Sequence, residues 1–195
     1  MKVLSIDYSS IDAPKKLVKS IKETGFAVIK NHPIDTNLID SIYSEWKEFF
    51  GSSYKDKYIF RDIEQDGYFP FMSENAKDRE TKDLKEFFHI YPWGIYPTEI
   101  SQNTNKFYNE LLKLGIELLH WIQINTPRDI RDLFSMPLDE MVGDSDQNLL
   151  RVIHYPPTNN DNPLGAVRAA PHEDINLITL LCSGSQPGLQ ALDME

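Results

Sequence analysis

A change of hydrophobic period near Pro127 constrains this chain more than any other feature. Before it, Phe107, Leu111, Leu114, Leu118 and Ile122 recur at steps of four and three. That spacing gives a helix one apolar face that must be covered. After it, residues 149–155, 177–182 and 189–192 are short strand-like runs separated by Pro and Gly turns. A helix stripe cannot bury itself, so this helix is expected to lie against a sheet. The fold class that follows is mixed α/β (α+β), with a β-rich C-terminal third.

The leading part follows the same logic. Residues 3–6 (Val-Leu-Ser-Ile) read as a short strand. Asp12 and Pro14 start a helix carrying Leu17, Val18 and Ile21, and Gly25 stops it. Residues 26–29 form a second short strand. Asn31, His32 and Pro33 then turn the chain into a helix whose stripe is Leu38, Ile39, Ile42, Tyr43, Trp46, Phe49 and Phe50. Residues 51–96, polar and aromatic by turns, read as pocket-covering loops. There is no internal repeat, low-complexity tract or interdomain linker.

Composition narrows the functional classes. A hydrophobic fraction of 41% in 195 residues supports one buried core rather than a disordered chain. A formal charge of -10 gives a field that repels a phosphate backbone, so no nucleic-acid partner is expected. The longest apolar stretch, 111–124, is broken by Lys113, Glu117 and His120 and is too short to cross a bilayer, so no membrane partner is expected. The lone cysteine, Cys182, has no internal disulfide partner, which makes a reducing cytoplasm the natural setting and Cys182 a small buried hydrophobe. The sequence stops just after the strand-like 188–192, with strand edges unpaired, and a C-terminally truncated chain is expected.

The chemistry concentrates at His172 and Asp174. Two positions apart in an extended segment, an imidazole and a carboxylate face the same side. With a second histidine from elsewhere they would form the 2-His-1-carboxylate triad that leaves open positions on Fe(II). The competing reading is a surface loop with a structural hydrogen bond. Arg168, four residues before His172, faces the same side if the strand is continuous; it could hold a substrate carboxylate or make a surface salt bridge. Asn176 shares that parity, as a pocket residue or a polar turn residue. Thr179 reads as strand core. Phe69, Phe88, His89, Tyr91 and Trp93 could wall an apolar substrate or simply pack. Asp144 and Asp146 read as a solvated acidic loop.

Three stretches, in order, carry a family resemblance. They are Gly25-Phe26-Ala27-Val28-Ile29-Lys30-Asn31-His32, then Leu150-Arg151-Val152-Ile153-His154-Tyr155-Pro156-Pro157, then Pro171-His172-Glu173-Asp174 running into Leu177-Ile178-Thr179-Leu180-Leu181 and Pro187-Gly188-Leu189-Gln190. Together they resemble the isopenicillin N synthase-like branch of the 2-oxoglutarate/Fe(II)-dependent dioxygenases. The resemblance implies N-terminal helices and short strands plus part of a double-stranded β-helix (jelly roll). It places the N-terminal region at 1–125 and the first part of the core at 146–195, as one structural unit. It implies metal ligation by His172 and Asp174, 2-oxoglutarate contact by Tyr155, and Fe(II), 2-oxoglutarate and O2 as the chemical partners. The reaction it implies is hydroxylation or another oxidation of a small organic substrate. The family's distal histidine and Arg-x-Ser pair have no counterpart here. Two alternatives stay open: a 2-oxoglutarate-independent oxidase of the isopenicillin N synthase type, and a non-catalytic truncated fragment. A hydrolytic zinc site draws little support from a strand-borne His-x-Asp.

Overall fold

The computed structural model describes residues 2–75, 81–158 and 162–192. In chain order its elements are β1 (Ser5–Asp7), α1 (Ala13–Thr24), β2 (Val28–Lys30), α2 (Thr36–Gly51), β3 (Gly67–Phe69), β4 (Glu86–Ile90), α3 (Asn103–Asn125), α4 (Arg128–Arg131), α5 (Glu140–Gly143) and β5 (Leu150–His154). The mixed α+β class holds. The elements fall into two units interleaved along the chain: Met1–Ile34, Asn109–Ser145 and Asn176–Glu195 form one, Asp35–Tyr108 and Asp146–Ile175 the other.

In the first unit β1 and β2 pair in parallel, Ile6 opposite Ile29, with α1 as the crossover. Pro14 sits in the first turn of α1, where its fixed φ suits a helix and its missing N–H costs nothing. Gly25 ends the helix in the left-handed conformation (φ 74°) that a side chain would disfavour, and its N–H bonds the Ile21 carbonyl. Buried Ser20 ties helix to strands: its hydroxyl accepts from the Leu4 N–H at 3.0 Å and donates to the Phe26 carbonyl at 2.6 Å. Asn31, also left-handed (φ 55°), turns the chain out of β2 and donates to Asp7 at 3.0 Å. The Gly25–His32 stretch therefore builds a helix stop, a strand and a turn.

The second unit is a three-stranded antiparallel sheet in the order β3-β4-β5, with α2 on one face. Asp35 caps α2 by accepting from the Asn37 N–H at 2.9 Å. The predicted stripe buries Leu38, Ile42, Trp46, Phe49 and Phe50, each such side chain contributing about 1.5–3 kcal/mol. Trp46 and Phe49 meet Phe88 of β4 at ring-centroid distances of 5.2 and 5.8 Å. On the opposite face Phe60, Phe69 and Phe87 form a stacked pile with spacings of 4.3 and 4.5 Å. Both faces of β4 are covered and all five of its residues are buried.

Double coverage explains one departure from expectation. A strand buried on both sides loses the polar alternation that marks a half-buried one, so β3 and β4 lie inside a stretch that reads as loops. A second departure concerns the C-terminal third, which is less β-rich than expected. Residues 128–131 and 140–143 are short helices, and β5 is the one strand after Pro127 among the described residues. No strand is assigned in segments 177–182 and 189–192. Their β propensity remains, but a strand exists only as part of a ladder.

Two predictions come from this packing. Gly67 has φ 97°, and a Cβ there would lie 2.7 Å from the Tyr58 carbonyl oxygen. Gly67→Ala is expected to cost about 2 kcal/mol or more by urea unfolding. His89, 5% exposed, is pushed by burial from its ordinary 6.5 to about 4. The unfolded chain then binds a proton between these values that the native state refuses. Stability from this group is complete above about pH 6.5 and falls as pH drops towards 4. The stability difference between wild type and His89→Gln should shift by about 2 kcal/mol against wild type between about pH 7.5 and about pH 5; a pH-independent difference would contradict this origin.

Candidate functional site

The second unit positions His172 and Asp174 through the stretch that leads into β4. The Leu84 N–H donates to the Val167 carbonyl at 2.8 Å. Asp83, 2% exposed, accepts from the buried Ala170 N–H at 3.1 Å. Residues 172–175 follow with no helix, strand or turn assigned. The His172 Nδ1 lies 2.8 Å from the Ala170 carbonyl, and its Nε2 lies 3.5 Å from Asp174 Oδ1. A carbonyl only accepts, so a hydrogen sits on Nδ1, and Nε2 is the ring atom that faces the carboxylate. The two side chains lie close to each other although no strand is assigned there. Both side chains are about half exposed. No group of three or more candidate metal-binding side chains occurs among the described residues.

The register of β5 on β4 sorts the neighbouring side chains. His154 lies opposite Glu86 and Arg151 opposite His89. On the α2 side, His154 stacks on Phe50 at 5.3 Å and its Nδ1 meets Glu86 at 2.7 Å. Glu86, 3% exposed, also accepts from the Tyr68 hydroxyl at 2.5 Å and from Lys55 at 2.9 Å. Burial alone would raise its carboxyl, but these donors hold it below the usual carboxylate range. On the other side, Arg151 Nε donates to His89 Nε2 at 2.8 Å and its guanidinium lies over Phe87 at 4.8 Å. His89 accepts there because its Nδ1–H is given to the Gln65 carbonyl at 2.8 Å.

Tyr155 follows β5 with the parity of Arg151 and Ile153. Burial pushes its hydroxyl above the ordinary value, an effect that Lys85 and Arg151 oppose and Asp83 supports. At neutral pH it is a hydrogen-bond donor, suited to an anionic oxygen. Arg168 is exposed and sits in a bend with Ala169, followed by another at Pro171. The strand is not continuous there, and strand parity does not set the side that Arg168 faces. Asn176 belongs to the first unit, where its amide donates to Thr179 at 2.9 Å.

Phe69, Phe88 and His89 are buried and pack the sheet. Tyr91 and Trp93 stack at 4.7 Å, and the Trp93 indole donates to the Asp146 carbonyl at 2.9 Å. Cys182 is half-buried, and burial pushes its thiol up, away from the reactive thiolate. Sequence reasoning passed over Asp83, Lys85 and Glu86. Their signal is three charges set directly against the apolar run Phe87-Phe88-His89-Ile90, where an ionised side chain is retained only with partners.

Residues 6–111 match the family described as non-haem dioxygenase in morphine synthesis N-terminal. The chain is 27% identical to azadirone synthase LFS of Melia azedarach, over 95% of this chain and 62% of that protein. It is also 27% identical to proline hydroxylase buaE of Petromyces alliaceus, over 99% and 68% respectively. Among solved structures, a Shewanella oneidensis protein described as an oxygenase superposes with a TM-score of 0.80 at 45% identity, covering 91% of this chain and 63% of that one. The chain thus spans about three fifths of the azadirone synthase and of the Shewanella protein. A full-length Neurospora crassa protein solved in complex with alpha-KG shares the fold, with a TM-score of 0.68 at 23% identity over 88% of this chain and 61% of that one.

The Glu86 cluster yields a prediction. Glu86→Ala leaves Lys55 and the Tyr68 hydroxyl without their buried acceptor and should destabilise the protein by about 3–5 kcal/mol. Thermal or urea unfolding checks it; a loss below about 1 kcal/mol would show that the network contributes little.

Proposed function

Since this chain belongs to the non-haem dioxygenase family, we propose that it serves the Fe(II)- and 2-oxoglutarate-dependent oxidation of a small organic substrate. The observation that carries this reading is the His172 imidazole, whose Nδ1–H is held by the Ala170 carbonyl while Nε2 faces Asp174. A ligating histidine needs that tautomer and that outer hydrogen bond. One neutral nitrogen and one carboxylate oxygen suit a first-row divalent ion, and His172 and Asp174 are the residues that would hold it. Bound iron would supply the activation of O2, one oxygen atom entering the substrate and the other converting 2-oxoglutarate to succinate and carbon dioxide.

The chain's own residues bind and orient. The Tyr155 hydroxyl donates to a carboxylate of the cosubstrate. Arg168 is the proposed substrate contact, for a carboxylate. Residues 146–195 are proposed as the opening part of a jelly roll, and 1–125 as the family's N-terminal region. A cytoplasmic setting is proposed from the single cysteine. The partner is proposed to be a small molecule, not nucleic acid or membrane, in keeping with the net charge of -10. No helix among the described residues is long and apolar enough to cross a membrane.

Anaerobic Fe(II) titration with and without 2-oxoglutarate tests the proposal. The expected result is a 2-oxoglutarate-dependent visible absorption band that is lost in His172→Ala. Tyr155→Phe should retain iron and weaken 2-oxoglutarate binding by roughly tenfold or more, the worth of a hydrogen bond to a charged group. Iron binding indifferent to His172→Ala would overturn the reading.

A further inference from the structure

We propose that Asp83 is a positioning residue for the metal-binding imidazole, a role that rests on His172 being a ligand. Asp83 precedes β4 by three residues, 89 positions before His172 in the chain, yet the hydrogen bonds connect them in two steps. The Asp83 carboxylate takes the Ala170 N–H at 3.1 Å, and the carbonyl of the same Ala170 takes the His172 Nδ1–H at 2.8 Å. The N–H and carbonyl of Ala170 are separated by its φ and ψ, but Pro171 confines the residue before it to the extended region. Anchoring the N–H therefore restricts where the carbonyl points, and this carbonyl favours the tautomer that leaves Nε2 open.

The support is itself held. The second oxygen of Asp83 meets Lys85 Nζ at 3.0 Å, and Lys85 is clamped from the other side by Glu74 at 2.9 Å. Burial alone would lower the Lys85 ammonium, but Glu74 and Asp83 hold it above its usual value. Leu84 N–H to Val167 carbonyl, at 2.8 Å, fixes the same segment three residues upstream of Ala170. Asp83 is 2% exposed and Ala170 2%, so water does not compete for the bond between them. A carboxylate placed only for stability would need no particular peptide. This one holds the residue bonded to the ligand imidazole.

The test has one readout that needs no metal. At mildly alkaline pH, the ring 15N shifts of His172, identified by their loss in His172→Ala, report which nitrogen carries the hydrogen. Wild type should show the Nδ1–H form. Asp83→Ala should move the ring towards the Nε2–H form and weaken Co(II) binding by roughly 10–100-fold. Asp83→Asn keeps an acceptor oxygen for Ala170 and should restore the wild-type tautomer. Leu38→Ala, a cavity under α2 in the same unit, should lower stability without moving the His172 shifts. An unchanged tautomer in folded Asp83→Ala, or an equal change in Leu38→Ala, would overturn the proposal. If wild type and His172→Ala bind Co(II) alike, the ligand reading falls by itself, and the tautomer comparison still decides whether Asp83 orients the ring.

Discussion

A carboxylate that is 3% exposed must be met by donors on every side, and Glu86 imposes that requirement on the second unit. Its three donors come from three parts of the chain: Lys55 from the turn after α2, Tyr68 from β3 and His154 from β5. Satisfying one charge therefore brings together a helix end, a sheet edge and the strand that delivers Tyr155. The ring of Phe50 lies between them, 6.3 Å from Tyr68 and 5.3 Å from His154. Polar and apolar demands meet in the same place, and a shift in the register of β5 by one residue would break both.

β4 divides the labour between its faces. Glu86, Phe88 and Ile90 point towards α2 and do the work of stability. Phe87 and His89 point the other way, where Arg151 is anchored on a neutral histidine and an aromatic face. Just upstream, Asp83 and Leu84 reach the segment that ends in His172. The non-haem dioxygenase chemistry proposed for this protein is thus supported from the segment that leads into β4, which carries no proposed metal ligand. Metal-binding imidazoles depend on such outer partners for tautomer and direction.

How much of this could be read beforehand depended on how local the cause was. α1, with Pro14 inside its start and Gly25 past its end, was legible because both signals act within one turn. The α2 and α3 stripes were legible for the same reason, since residues three and four apart lie on one face whatever they meet. His172 and Asp174 were picked out together by their spacing alone, which is also a local signal. β4 was missed because burial on two faces erases the alternation that announces a strand. The strands expected at 177–182 and 189–192 were over-read because propensity says nothing about whether a partner edge is within reach. Arg168 was given a parity that only an unbroken strand confers, and the chain bends there.

By itself, then, the sequence determined the three long helices, the turn at Gly25 and the family to which three ordered motifs belong, each signal set by residues within a few positions of each other. Only the tertiary structure decided that Asp83 supports the His172 loop, that His89 is a buried neutral acceptor and that Glu86 collects donors from three elements. The reason is physical. Each of these roles depends on hydrogen bonds between residues far apart in the chain, and their strength comes from a burial that does not exist until the sheet has formed.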